Sequence, residues 1–103
     1  MRVIIANPDQ DPCETTVESG LHALQAAVGG YIELWAVDGD VCFICNEEGR
    51  INGMPFNRTV VLSDGSEWDI FGPILLVRES GEDFASLTDE DVAQWLPQLA
   101  SAV

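Results

Sequence analysis

The chain reads as a small α+β domain, a mostly antiparallel sheet with two helices packed on one face. Three features of the sequence predict it. Short apolar or alternating runs recur with turn formers between them, as antiparallel strands require. Two segments, one early and one at the C-terminus, carry apolar residues at helical spacing. The length of 103 residues gives mass for one modest core, so 1–103 is taken as a single domain.

Residues Arg2–Ala6 form a short apolar strand ended by the turn Asn7-Pro8-Asp9. Glu14–Val17 alternates weakly and suits an edge strand beside the first. Ser19-Gly20 opens a helix with Leu21, Leu24 and Val28 on one face, and Gly29-Gly30 ends it. In Tyr31–Val37, the set Tyr31, Glu33, Trp35, Val37 alternates with Ile32, Leu34, Ala36. Asp38-Gly39-Asp40 then turns the chain into Val41–Cys45, a hairpin signal because glycine accepts positive φ. That triplet superficially suggests calcium, but the later ligand positions of an EF-hand are missing.

Thr59–Leu62 and Trp68–Phe71 are read as strands about the turn Ser63-Asp64-Gly65-Ser66. Ile74–Arg78 is almost wholly apolar, as a central strand would be. Ser80-Gly81-Glu82-Asp83 turns again, and Phe84-Ala85-Ser86 returns along a sheet edge. Thr88 caps the last helix, with Asp89, Glu90 and Asp91 in the first turn where carboxylates complement the helix dipole. Val92, Trp95, Leu96 and Leu99 form its buried stripe, which Pro97 is expected to bend or interrupt.

Charge narrows the choice of partners. There are 18 acidic residues against four arginines, with no lysine, giving a formal net charge of −14. Such a field repels nucleic acid and anionic membranes, where binding works through Lys and Arg, and attracts cationic surfaces. Plain solubility or adaptation to high salt would produce the same composition. No apolar run approaches a bilayer span and no secretory pattern opens the chain, so a soluble, cytoplasmic protein is expected. The sequon Asn57-Arg58-Thr59 is then accidental.

Three cysteines without an export signal argue for reduced thiols. Cys42-Phe43-Ile44-Cys45 matches C-x-x-C, but in a strand residues three apart point to opposite faces and cannot share a metal. Cys13 and His22 add no recognised zinc spacing, so neither metal nor other cofactor is expected. Catalytic residues are not expected either. The single histidine has no nucleophile beside it, phosphate-cradling glycine loops are absent, and Glu47 and Glu48 diverge as neighbours in extended chain.

The densest directional chemistry lies at 45–58, which places two of the four arginines among carboxylates and carboxamides. Loops of this kind carry recognition more often than stability. Asn46, Glu47, Glu48, Arg50, Asn52, Asn57 and Arg58 are therefore the candidate ligand-binding residues. Arg50 and Arg58 would meet a phosphate or carboxylate, and the asparagines would read amide or hydroxyl edges. Tyr31, Trp35 or Phe56 would stack on a ring. A second subunit is expected to complete so short a site, giving a homodimer or larger homo-oligomer.

Gly29-Gly30-Tyr31-Ile32-Glu33, Asn46-Glu47-Glu48-Gly49-Arg50, Gly53-Met54-Pro55-Phe56-Asn57-Arg58 and Ser86-Leu87-Thr88-Asp89-Glu90-Asp91 occur in that order. With Leu21–Val28 they make the chain resemble domain-of-unknown-function family 3846, found in bacteriophages, plasmids and their prokaryotic hosts. Members usually show two prolines where this chain has Pro55-Phe56. The resemblance implies a phage or mobile-element setting, in which small acidic proteins antagonise host defence, and no settled biochemical role. The function expected is non-enzymatic capture of a small polar, nucleotide-like ligand at the 46–58 loop. Two alternatives stand beside it. One is an acidic, DNA-mimic-like inhibitor of a basic host protein such as a restriction or CRISPR component, served by clusters at Asp9–Asp11, Asp38–Asp40, Asp64–Asp69, Glu79–Asp83 and Asp89–Asp91. The other is a structural protein whose loop packs internally, with Arg58 on Glu48.

Overall fold

Two strands that are apolar at nearly every position must hide both of their faces, and the architecture follows from that need. The structure, a computed structural model, describes residues 1–62, 64–81 and 83–101. Ser63 and Glu82, which belong to two of the expected turns, lie outside the described residues. In chain order the elements are β1 (Arg2–Ala6), β2 (Cys13–Thr16), α1 (Leu21–Val28), β3 (Ile32–Asp38) and β4 (Val41–Asn46). There follow β5 (Phe56–Val61), β6 (Glu67–Phe71), β7 (Ile74–Ser80), β8 (Asp83–Ala85) and α2 (Asp89–Ser101). The main sheet is antiparallel in the order β2-β1-β7-β4-β3, with β8 paired to the far end of β7. The β5–β6 hairpin forms a separate two-stranded sheet.

Strands β4 and β7 lie side by side at the centre, and alternate residues divide between two cores. Cys42, Ile44, Leu75 and Val77 join Val3 beneath Leu24 and Val28 of α1. Val41, Phe43, Cys45, Ile74 and Leu76 join Ile4 and Ala6 on the other side, beneath Leu99 of α2 and Val60 and Ile70 of the hairpin. The fold class is α+β, but the helices cover opposite faces of the sheet, not one face as expected. Each buried aliphatic or aromatic side chain contributes roughly 1.5–3 kcal/mol, so neither face of β4 and β7 could be left to water.

Backbone chemistry fixes the ends. Gly29 ends α1 at φ 80°, its N–H donating to the Gln25 carbonyl at 2.9 Å. Leu21, expected on the buried face of α1, is half exposed, while Leu24 and Val28 are fully covered. Thr88 caps α2 by accepting from the Asp91 N–H at 3.1 Å. That helix runs on through Pro97 to Ser101. Among the described residues no helix is long and apolar enough to cross a membrane.

Candidate functional site

Between the sheet edge and the hairpin lies a cleft of about 670 Å³, within the size range of ligand sites. Alternation along β3 turns Glu33 and Trp35 toward it, on the same side as buried Val37. Glu67, Trp68, Asp69 and Phe71 of β6 form the facing wall with Thr59 of β5. Asn46, Glu47, Gly49 and Arg50 close one end. Trp35 and Trp68 meet across the cleft with ring centroids 4.4 Å apart and planes tilted by 35°.

Arg50 is held in a knot of overlapping turns. The Gly49 N–H donates to the Asn46 carbonyl, Asn52 to Glu48, Gly53 to Arg50 and Met54 back to Gly49. Met54 plugs the space beneath: a Cβ at Gly72, where φ is 86°, would lie 2.6 Å from its Sδ. Asn46 ties the knot to α1, donating from Nδ2 to the Val28 carbonyl at 3.1 Å and accepting the Glu48 N–H at 2.8 Å. Its side chain is thus fixed by its own chain.

The expected pairing of Arg50 with Arg58 is not found. Arg58 is 5% exposed and turned away from the cleft toward α2. Its Nη1 donates to the Leu99 carbonyl, its Nη2 to the Gln10 carbonyl at 2.8 Å, and its Nε to Asn57 Oδ1 at 2.8 Å. Asn57 in turn donates Nδ2 to the carbonyls of Ala6 and Gly72, each at 2.8 Å. Arg58 and Asn57 are therefore corrected from ligand-binding residues to internal braces between hairpin, sheet and helix. Arg58 has no bond to Glu48 either; its accepting neighbours are mostly main-chain carbonyls. Burial pushes its pKa down, partly offset by the charge of Asp11. Tyr31, Glu48, Asn52 and Phe56 are exposed and do not line the cleft. Asn46, Glu47 and Arg50 do.

The cleft is acidic. Glu33, Glu47, Glu67 and Asp69 face a single arginine, Arg50. Burial, and then the nearby charge of Glu47, push the Glu33 carboxyl above its ordinary range. Thr59 Oγ1 donates to Asp69 Oδ1 at 2.7 Å, which orients that carboxylate. Cys45 forms part of the floor, but its thiol is buried and pushed up to about 12, chiefly by burial. Cys42 points to the opposite core, as alternation requires. Among the described residues no group of three or more His, Cys, Asp or Glu could hold a metal.

Sequence reasoning passed over Glu33, Glu67, Asp69 and Phe71. The signal for Glu33 was present: a charged residue in phase with Trp35 and Val37 must sit beside the core face. For β6 there was none, because only the docking of a separate hairpin against the sheet brings that strand near β3.

A two-helix α+β domain with an acidic, aromatic-walled cleft is thus the class that fold and site define. The chain belongs to the family described as domain of unknown function DUF3846, whose model matches residues 1–100. No curated protein and no solved structure matches it.

Proposed function

We propose that the protein is a non-enzymatic binding protein that offers this cleft to a cationic segment of another protein. In the phage or mobile-element setting expected for the family, a basic host-defence protein is a fitting target. The observation that carries the reading is the lining itself, four carboxylates against one arginine beside three aromatic rings. The charge of the whole chain adds to the attraction and steers encounter. An anionic ligand is disfavoured, because Arg58 does not reach the cleft and Arg50 alone would have to offset the carboxylates.

A second reading keeps a small planar ligand, and the Trp35–Trp68 pair with Arg50 beside it is what favours it. Titration of the tryptophan fluorescence separates the two. A short Lys/Arg-rich peptide is expected to bind, more weakly as salt rises and more weakly to Glu67→Gln/Asp69→Asn. Absence of peptide binding at low salt overturns the reading. Binding of nucleoside monophosphates that is lost in Arg50→Ala supports the second reading instead.

A further inference from the structure

The cleft already holds one cation, and its placement says which kind it prefers. The Arg50 guanidinium carbon lies 4.8 Å from the Phe71 ring centroid, within the reach of cation–π attraction. Its Nη2 is 3.9 Å from Asp69 Oδ2, an ion pair but longer than a hydrogen bond. Both partners of that pair are largely in solvent, 71% and 51% exposed, where such contacts hold weakly. The other three arginines are gripped firmly. Arg2 pairs with Glu14 and Asp89, Arg78 with Asp91, and Arg58 with main-chain carbonyls.

The receiving groups, by contrast, are set in place. Asp69 Oδ1 is fixed by Thr59, which leaves Oδ2 toward the cleft. Phe56 and Phe71 meet in a T-shaped arrangement, with centroids 5.6 Å apart and planes at 72°, which braces the Phe71 ring. A built receptor carrying a loose occupant is the arrangement expected of a stand-in. We propose, building on the cationic-partner reading above, that the cleft recognises a guanidinium, an arginine side chain of the partner. Arg50 occupies part of that site in the free protein and is displaced on binding.

Arginine is preferred to lysine because its planar, weakly hydrated fork lies flat on an aromatic face while donating to a carboxylate. An ammonium satisfies the charge but not the stacking. Displacing Arg50 also moves a positive charge from the mouth of an acidic cleft, so its removal strengthens binding of a cation.

The test is calorimetric titration of the full chain with oligoarginine and with oligolysine of equal length. Oligoarginine is expected to bind roughly fivefold more tightly or better. Arg50→Ala, at an exposed position that leaves folding intact, is expected to tighten oligoarginine binding severalfold. Phe71→Leu is expected to erase the preference while leaving lysine binding nearly as it was. Equal affinity for the two peptides, or weaker binding by Arg50→Ala, overturns this inference alone. Failure of both peptides to bind overturns the cationic-partner reading with it.

Discussion

Arg78 grips Asp91 with two nitrogens at once, Nε at 2.6 Å and Nη2 at 2.9 Å, joining the central strand to the first turn of α2. The same carboxylate accepts the Thr88 N–H at 2.8 Å while Thr88 Oγ1 accepts the Asp91 N–H, so one buried acid serves both cap and anchor. The guanidinium, more than any other neighbour, holds the Asp91 carboxyl below its ordinary range. A carboxyl whose pKa is depressed by folding stabilises the native state above its unfolded pKa of about 4, and that contribution is lost as pH falls through the folded value. Asp91→Asn is expected to lower stability by about 1–3 kcal/mol near neutrality. The gap to wild type should be constant above about pH 5 and close below about pH 4. Denaturant unfolding at several pH values checks this, and a gap that persists unchanged in acid would contradict it.

Arg58 and Arg50 should behave oppositely when truncated. Arg58→Ala leaves the Leu99 and Gln10 carbonyls and Asn57 Oδ1 without their donor and opens a void beneath α2. A loss of about 3 kcal/mol is expected. Arg50→Ala removes an exposed side chain and should change stability by less than about 0.5 kcal/mol. Urea midpoints of the two variants decide the matter. Any ligand effect seen on Arg58→Ala must be corrected for its weakened fold.

Gly49 is required for space. A Cβ there would fall on the Phe71 carbonyl oxygen, main chain that cannot rotate aside, and close to Met54. Gly49→Ala is expected to cost about 1–3 kcal/mol by forcing the loop off β6. Gly39 is the useful contrast, with φ at 55° and nothing within 4 Å of an added Cβ. Gly39→Ala should cost only its backbone strain, about 1 kcal/mol. Equal losses in thermal unfolding would remove the steric explanation.

The three thiols divide by burial. Cys13 is exposed, whereas Cys42 and Cys45 are buried, each pushed up to about 12 chiefly by burial. An aromatic disulfide reagent at pH 8 is expected to react promptly with one thiol per native chain, and with the other two only once denaturant is added. Fast reaction of a second native thiol would mean that one core opens readily.

Elements were legible where period and punctuation agreed. Ile74–Val77 showed its central position through unbroken apolar sequence, and Thr88 with Asp91 announced the start of α2. The placement of the helices was misread although the information was there. Val41–Cys45 and Ile74–Val77 are apolar on both alternations, which demands cover on two sides. The site was half legible for a different reason. Asn46, Glu47 and Arg50 stand out as a polar cluster in one segment, and three of the cleft's groups were found that way. Nearness in sequence to Arg50 made Arg58 look like its companion. A register shift between Phe56 and Arg58 and the pleat of β5 send it to the far side, toward α2. The opposite wall is a matter of tertiary docking, which no local pattern encodes.

Trp35 and Trp68 belong to different sheets, and their tilted contact has an optical consequence. Two indoles this close and not coplanar couple their excited states, so circular dichroism should carry an exciton couplet of opposite-signed bands. That signal exists only while the hairpin is seated against the sheet, and a guest sliding between the rings would flatten it. The molecule thus carries a label-free gauge of its own hairpin docking, silenced by replacing either indole with phenylalanine.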